Sequence, residues 1–350
     1  MVGDANERYN VEEFDVPLRM AVLKDLDRFD SEFFTIHAKQ AAAMDPRIKL
    51  LLEVSYEAIL DAGINPIDIQ GSNTGVFVAS CDGAAGAIGT RSRPLEKINM
   101  YGMLGSVSSM MANRLSYTFN FTGPSYVVDT ACSSSFVALQ QALLSIRAGI
   151  CDAAIVASAH THHDPVGSHC FHQLKMTSPD GKCKVFDASA DGYVRSEAAV
   201  AIYICKKQVA KRTYGTLIHA SINNDGYTEQ GITFPSEVGQ ENAIRQVYTE
   251  TGISPLEVDY IEAHGTGTKV GDPQEMSTIT KIFCEGRAGP LLIGSVKSNM
   301  GHPEPVAGLC AIAKNLWNYR IILRNYRGKK GSKSLTTCSR RPMRFWEVTQ

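Results

Sequence analysis

The segment Val128–Leu139, "VDTACSSSFVAL", places one cysteine between a β-branched run and a stretch that suits a helix. Cys132 is therefore expected where a strand ends and a helix begins. The unpaired N–H groups and the positive dipole end at a helix N-terminus favour a thiolate over a thiol. The thiolate is the reactive form. A packed core cysteine is the ordinary alternative, and this segment by itself leaves both interpretations open.

The alternation of strand and helix continues along the chain. Asp45, Pro46 and Gly63 suit the cap, first turn and exit of one helix. Short apolar runs separated by helical patterns predict an α/β layered fold. The predicted strands are 74–80, 124–130, 153–158, 198–205, 216–222, 258–263 and 290–296. The other predicted helices are 133–148, 240–250, one that begins near residue 273, and 305–317.

Composition limits the classes of function. The chain has 350 residues and a net charge of −1, so neither nucleic acid nor an anionic membrane is indicated as a partner. No apolar run approaches the ~20 residues of a membrane span. The N-terminus lacks the layout of a secretion signal. The cysteines are nine in number and irregularly spaced, which predicts reduced thiols in a cytoplasmic protein.

Two histidines lie in glycine-bearing loops that follow predicted strands. His264 comes directly after the strand at 258–263, and Lys297 and His302 follow the strand at 290–296. In an open α/β sheet, ligands bind beyond the carboxyl ends of the strands. Cys132 occupies the equivalent position on a third strand, so we expect the thiol and both imidazoles to converge. This arrangement favours a nucleophile over a packed cysteine.

Three sequence blocks together resemble the signature blocks of β-ketoacyl synthases, the condensing domains of fatty acid and polyketide synthases. They are "DTACSSSFVAL" around Cys132, "EAHGTGTKVGDPQE" around His264 and "VKSNMGHPEPVAG" around His302. Segments 40–66 and 178–197 are more similar to the multidomain fatty acid synthase of animals, insects included, than to bacterial polyketide enzymes.

The resemblance extends from about Asn10 to Leu316 and implies a thiolase-like fold. That fold stacks two βαβαβαββ halves into α-β-α-β-α layers, of which the second half is expected to be incomplete here. We expect residues 1–205 to form the N-terminal half, with the nucleophilic cysteine and without the first strand. Residues 206–318 would form a partial C-terminal half with both histidines, and residues 319–350 an atypical basic tail.

The resemblance also implies a reaction. Cys132 would accept a growing acyl chain from a phosphopantetheine thiol and hold it as a thioester. His264 and His302 would stabilise the enolate left when a malonyl thioester loses CO2, and the carbanion would then attack the acyl group on Cys132. No metal or redox cofactor is expected, because loss of the carboxylate itself generates the carbon nucleophile. No cofactor is expected to bind directly, because the substrates travel on the phosphopantetheine of an acyl carrier protein.

Four further residues match supporting positions of the family. Lys297 matches the lysine of the active-site hydrogen-bond network, and Glu304 is expected to be its ionic partner. Thr266 and Thr268 match hydroxyls that hold the phosphopantetheine arm, although turn capping within a glycine-rich loop explains them as well.

The expected partners are acyl carrier protein, malonyl and acyl thioesters, and a second copy of the chain paired through the strand at 123–130. Nucleic acid and membrane are not expected. Two alternatives stay open: an inactive remnant that only dimerises or binds the carrier protein, and another condensing enzyme such as a polyketide synthase. A thiolase is disfavoured, because thiolases pair the nucleophile with a different second cysteine and histidine.

A histidine-rich segment, Ala159–Gln173, contains five of the nine histidines and Cys170. Imidazole and thiolate are zinc ligands, but the spacing fits no regular closed site. By resemblance the segment is a variable loop near the substrate entrance, so a solvated or entrance-lining loop is the prediction and a metal site is the less favoured alternative. Its histidines are His160, His162, His163, His169 and His172.

The ends of the chain depart from the family. From Tyr319 to Gln350 there are nine Lys/Arg and one acid, a charge of +8 against −9 for the preceding 318 residues. No "GFGGTNAH"-type loop, which supplies an oxyanion donor in the family, is found; the tail offers only Arg324–Ser334, "RNYRGKKGSKS". The expectation is a ketosynthase region truncated at both ends or misframed, with little condensing activity by itself.

Overall fold

The structure is a computed structural model that describes residues 2–8, 11–81, 101–163 and 165–316. The predicted basic tail lies outside the described residues. The strands are β1 (Val2–Asp4), β2 (Arg19–Ala21), β3 (Thr74–Ala79), β4 (Ser125–Val128), β5 (Ala153–His160), β6 (Ala198–Cys205), β7 (Tyr260–Glu262) and β8 (Leu292–Gly294). The helices are α1 (Val11–Phe14), α2 (Ala38–Ala43), α3 (Pro46–Asp61), α4 (Gly102–Ser106), α5 (Ser109–Phe119), α6 (Ser134–Arg147), α7 (Pro165–Gln173), α8 (Glu237–Thr251), α9 (Gly271–Ile279), α10 (Lys297–Met300) and α11 (307–316).

The main sheet has four strands in the order β4-β3-β5-β6. Strand β3 runs parallel to β4 and β5, whereas β6 is antiparallel to β5. Every residue of β3 and β5 is buried. Central strands covered on both faces carry continuous apolar runs, which is why their sequences show no alternation of polar and apolar residues.

The two faces of this sheet bury different side chains. Val76 and Val78 point to the face covered by α3 and α5, whereas Phe77 and Ala79 point to the face covered by α6 and α11. The alternation follows from the period of two along a strand. Each face therefore has its own helical layer.

A second, two-stranded parallel sheet pairs β7 with β8. Its apolar residues pack with α8, α9 and the π-helical turn Thr280–Cys284. Lys314 of α11 bonds to the Tyr260 hydroxyl at 2.9 Å and to Glu262 at 2.6 Å. Helix α11 thus packs with α6 on the main sheet and also contacts the second sheet, as the predicted α-β-α-β-α order requires.

The helix predicted after Asp45 is confirmed as α3. The Asp45 carboxylate accepts the Arg47 N–H at 2.8 Å, and Pro46 occupies the first turn. Gly63 has a φ of +79°, a left-handed conformation in which a Cβ would be strained. Local capping signals were sufficient to place this helix.

The strand predicted at 216–222 is wrong, because this stretch has no regular secondary structure. A strand needs a neighbouring backbone for its ladder, but side chains of α6 take these carbonyls. Gln140 donates to the Ala220 carbonyl at 3.1 Å, and Arg147 donates to the Ile218 carbonyl. On its other side the stretch borders an apolar cavity of about 670 Å³, which β6 and α8 also line.

Candidate active site

Cys132 lies in a tight turn between β4 and α6. Ala131 has a φ of +54°, which non-glycine residues rarely adopt, and it begins the single 3₁₀ turn Ala131–Ser133. Ser134 fastens the turn, because its Oγ accepts the Thr130 N–H at 2.9 Å and donates to the Ala131 carbonyl at 2.6 Å. Such strain costs about 1–3 kcal/mol and persists only where surrounding bonds hold it. The turn presents the sulfur at the start of α6, as predicted.

His302 lies within hydrogen-bonding distance of the thiol. Its Nε2 is 3.1 Å from Cys132 Sγ. The backbone of His302 donates to the Val194 carbonyl at 2.8 Å and accepts the Ser196 N–H at 3.1 Å. Gly301 has a φ of +82°, and a Cβ there would lie 2.9 Å from the Val194 carbonyl oxygen. A glycine at position 301 is therefore required for the loop backbone to lie this close to the Val194 carbonyl.

Two buried carboxylates of α9 hold the loop that carries His264. Glu275 accepts the His264 N–H at 2.6 Å and the Gly265 N–H at 2.8 Å. Asp272 accepts the Gly267 N–H at 3.0 Å and also the N–H of Phe186 at 2.9 Å. Asp272 therefore joins the histidine loop both to α9 and to the distant segment that contains Phe186.

The two imidazoles are neighbours. The ring centroids of His264 and His302 are 5.3 Å apart with an angle of 87° between the ring planes. The Tyr193 ring packs on His302 with a centroid distance of 5.1 Å. The structure therefore brings together Cys132, His264 and His302, although 170 residues separate the first from the last.

The thiol differs from the acidic sulfur that the sequence predicted. Burial raises the pKa of Cys132 to about 12, the Glu304 carboxylate adds to this, and the Lys297 ammonium opposes it. Burial, assisted by Lys297, lowers the pKa of His264 to about 4 and that of His302 well below its ordinary value. The resting site therefore holds a neutral thiol and two neutral imidazoles, because desolvation outweighs the helix N-terminus.

Lys297 is buried at the start of α10 and is 1% exposed. Its ammonium group lowers the pKa of Cys132 and of both histidines. One positive charge thus acts on all three reactive side chains, which agrees with the supporting role predicted for this lysine.

Glu304 has two partners that the sequence did not predict, Arg195 and His160. Glu304 forms its ion pair with Arg195, whose Nε and Nη2 donate to the two carboxylate oxygens at 2.6 and 2.9 Å. His160 Nε2 lies 3.1 Å from the second oxygen. Burial opposes ionisation, but these partners hold the pKa of Glu304 well below its usual range. The pairing with Lys297 stays a prediction, and the fold adds an arginine 109 residues away along the chain.

Thr266 and Thr268 lie side by side in the His264 loop. Their Oγ1 atoms are 3.3 Å apart, and Thr266 is buried. Thr268 Oγ1 accepts the Gly271 N–H at 3.3 Å, which is the turn-capping bond considered above. The Thr268 hydroxyl therefore has a structural bond, and a binding role for either threonine stays a prediction.

The prediction of a solvated histidine-rich loop is wrong for most of the segment. His160 ends strand β5 and is buried, as is His162, whereas His169 and His172 lie on helix α7. Only His163 is exposed among the five. The polar composition suggested a loop, but strand pairing with β6 extends through His160.

Sequence reasoning missed four residues that act on the site: His160, Arg195, Asp272 and Glu275. The two carboxylates lie near the start of the helix that follows the histidine loop, a spacing that suits acceptance of loop N–H groups. Arg195 and His160 gave no local signal, because their partner Glu304 is more than a hundred residues away.

The comparisons with known proteins agree with this site. Residues 6–210 match the family described as Beta-ketoacyl synthase, N-terminal domain, and residues 214–320 match Beta-ketoacyl synthase, C-terminal domain. The chain therefore belongs to the β-ketoacyl synthase family. Within that family it is similar to a fatty acid synthase of Anser anser anser, with 50% identity over 314 residues that cover 90% of this chain and 89% of the relative.

More distant relatives include polyketide enzymes. A phenolphthiocerol/phthiocerol polyketide synthase of Mycobacterium tuberculosis is 41% identical over 84% of this chain, which spans 16% of that relative. The ketosynthase from module 6 of the bacillaene synthase of Bacillus subtilis has a TM-score of 0.81 and 33% identity. That alignment covers 90% of this chain and 55% of the ketosynthase. The thiolase-like fold is thereby confirmed.

None of the helices in the described ranges is both long and apolar enough to cross a membrane.

Proposed function

We propose that this chain catalyses the β-ketoacyl synthase reaction of fatty acid synthesis, an acyl transfer to Cys132 followed by decarboxylative condensation with a malonyl thioester. The observation that carries the proposal is the 3.1 Å distance from Cys132 Sγ to His302 Nε2, with the His264 ring 5.3 Å from that of His302. Family membership supplies the reaction class, and this geometry supplies the residues.

The first step is acyl transfer. Because the thiol is protonated at neutral pH, Cys132 needs a base, and neutral His302 accepts the S–H proton at Nε2. The sulfur attacks the thioester carbonyl, and the tetrahedral intermediate collapses to the acyl-enzyme. The phosphopantetheine thiolate leaves and takes the proton back. The acyl-enzyme predicts ping-pong kinetics.

The second step generates the carbon nucleophile. When the malonyl thioester loses CO2, negative charge develops on its carbonyl oxygen, and neutral imidazoles of His264 and His302 can each donate an N–H to it. For His302 this requires the tautomer with the proton on Nε2, which the ring reaches by proton exchange with solvent after the first step. Donors positioned for a developing charge are worth ~10²–10³ in rate each. The carbanion then attacks the acyl carbonyl, the Cys132 thiolate leaves, and the chain is two carbons longer.

Other residues and partners complete the proposal. Lys297 keeps both imidazoles neutral, and Thr266 and Thr268 hold the phosphopantetheine arm of an acyl carrier protein, which makes a resident cofactor unnecessary. We further propose that the chain forms a homodimer paired through β4 and that the enzyme is cytoplasmic. We also propose that the ketosynthase divides into two halves, residues 1–205 and 206–318. The 41% identity to a polyketide synthase favours a polyketide product as the second candidate.

Intact-mass measurement tests the proposal. The protein is incubated with acetyl- and longer acyl-pantetheine thioesters, and one acyl adduct is expected on the wild type and none on Cys132→Ala. Cys170→Ala is the matched control, because Cys170 is an exposed thiol that would report non-specific acylation. Malonyl thioester is then added, and loss of the adduct with release of CO2 is expected.

Two results would contradict the proposal. Absence of an adduct on folded wild-type protein would favour the inactive remnant that only dimerises or binds a carrier protein. An adduct that persists in Cys132→Ala would place the nucleophile elsewhere.

A further inference from the structure

A buried ion pair lies beside the two active-site histidines and has no part in the steps above. The Arg195 guanidinium donates to both oxygens of Glu304, and His160 Nε2 approaches the second oxygen. The exposed fractions are 9% for Arg195, 5% for Glu304 and 6% for His160. Charges at this depth are retained only when paired and hydrogen-bonded, so the three side chains hold one another in place.

The guanidinium is fixed from further directions. Its Nη1 donates to Ser168 Oγ at 2.8 Å, and its carbon lies 5.1 Å from the centroid of the Phe171 ring. Both residues belong to α7. A lysine would keep the positive charge but lose the planar fork and the stacking contact.

The ion pair spans the same two backbone segments as the His302 bridge. Arg195 is the bridge partner of His302, and Glu304 follows that histidine by two residues. Glu304 has a φ of +47°, an uncommon conformation for a non-glycine residue. The Arg195–Glu304 ion pair and the backbone bridge between Arg195 and His302 therefore both hold the turn at residues 302–304.

We propose that Arg195, Glu304 and His160 are positioning residues for His302, a network that keeps its Nε2 in reach of the Cys132 sulfur. The network touches neither substrate nor the reacting atoms, and it acts through the turn at residues 302–304. Its role in condensation rests on the proposed function, whereas its effect on the thiol does not.

A metal site is the competing use of these residues. The ligand atoms of His160, His162 and Glu304 lie within 4.8 Å of one another, and all three residues are buried. However, Arg195 occupies both oxygens of Glu304, and a divalent cation would have to lie against the guanidinium. Like-charge repulsion at this depth favours the positioning network.

The experiment compares Arg195→Lys and the uncharged pair Arg195→Gln/Glu304→Gln with the wild type. The first readout is the rate of Cys132 alkylation by iodoacetamide across pH, followed by intact mass, which needs no catalysis. We expect both variants to react more slowly near pH 8, because a displaced His302 no longer accepts the thiol proton. The loss should be larger in Arg195→Lys, because removal of the Glu304 charge in the uncharged pair also lowers the pKa of Cys132. The second readout is condensation, where kcat falls about 10- to 100-fold, as a displacement of about 1 Å can cause, with KM little changed.

Arg47→Lys is the matched control. Arg47 is a buried arginine that forms a similar fork with Asp45 at the start of α3. This variant is expected to lose thermal stability while its folded fraction keeps the wild-type alkylation profile. The uncharged pair covers the case in which Arg195→Lys does not fold, because it leaves no buried charge without a partner.

The outcomes separate this inference from the proposed function. Wild-type alkylation rates in both Arg195 variants, normalised to folded protein, would overturn the network whether or not the wild type condenses. Stoichiometric zinc in the purified wild type that is lost in His162→Gln would also overturn it, since Glu304 would then serve a metal. An inactive wild type with altered alkylation in the variants would leave the network standing and remove the condensing function.

Discussion

The two histidine loops have similar roles in the proposed reaction but are held in different ways. Glu275 and Asp272, which follow in the next helix, fasten the His264 loop by accepting its backbone N–H groups. A backbone bridge to Val194 and Ser196 holds the His302 loop, with the Arg195–Glu304 pair beside it. The carboxylates that hold the first loop lie within 11 residues of it, although Asp272 also bonds to Phe186, whereas the second loop has beside it an ion pair across 109 residues.

The difference shows how the roles of the two imidazoles can be separated. His302 Nε2 lies 3.1 Å from the Cys132 sulfur, so His302 can serve both acyl transfer and condensation. The His264 loop is tied to α9, and its ring lies beside that of His302. We therefore predict that His264 serves the malonyl half-reaction alone.

The largest expected effect comes from removing each imidazole. His264→Ala should lower malonyl decarboxylation by ~10²–10³ through loss of one enolate donor, with little change in acylation of Cys132. His302→Ala should lower both half-reactions, because it also removes the base 3.1 Å from the sulfur. Acylation is measured by intact mass and decarboxylation by CO2 release. Equal losses of acylation in the two variants would refute the division of roles.

Acidic pH should destabilise the fold through His264. The unfolded histidine binds a proton near pH 6.5, whereas burial and Lys297 lower the pKa in the folded protein to about 4. Between pH 6.5 and pH 4 the unfolded state thus binds more protons than the folded state. The contribution of His264 to the free energy of unfolding is fully present above about pH 6.5 and decreases toward pH 4. The loss from this group between pH 7 and pH 5 is about 2 kcal/mol, and the lowered pKa of His302 acts in the same direction.

Urea unfolding at pH 7 and pH 5 measures this loss. His264→Gln should reduce the difference between the two pH values. His37→Asn is the control, since His37 is exposed and an asparagine can still accept the Lys39 N–H. An unchanged difference in His264→Gln would show that this imidazole is not the titrating group.

Asp272→Asn tests the carboxylate fastening of the His264 loop. The two oxygens accept N–H groups of Gly267, Thr268 and Phe186. An asparagine has one side-chain oxygen, and its NH2 group would face at least one of these backbone N–H groups instead of accepting from it. The free energy of unfolding should fall by about 1–2 kcal/mol. Asp68→Asn, at an exposed aspartate, should change it little. Equal stability of the two variants would mean that the loop does not need this carboxylate.

The smallest expected effect is that of Thr268→Val, which decides between turn capping and substrate binding. If Thr268 holds the phosphopantetheine arm, KM for pantetheine thioesters rises several-fold with kcat unchanged. Thr280→Val removes a comparable exposed hydroxyl bonded to the Met276 carbonyl and should leave KM unchanged. A wild-type KM in Thr268→Val, with a stability loss of about 0.5–1 kcal/mol, would establish turn capping alone.

Local signals predicted much of the fold and the reactive residues. The α3 cap and the strand-helix junction at Cys132 depend on hydrogen bonds between near neighbours, and both are found where expected. The strand predicted at 216–222 and the loop predicted for Ala159–Gln173 differ from the structure, because the conformation of both segments depends on the residues that pack beside them. Composition and periodicity cannot report that α6 side chains occupy the carbonyls at 218 and 220.

The amino-acid order alone pointed to the residues proposed for the chemistry, since a cysteine and two histidines after strands are identified by their neighbours in the chain. The protonation state of the thiol and the pairing of Glu304 with Arg195 were decided only by the tertiary structure. Both depend on desolvation and on charges brought together from distant segments, and such long-range terms leave no trace in a local stretch of sequence.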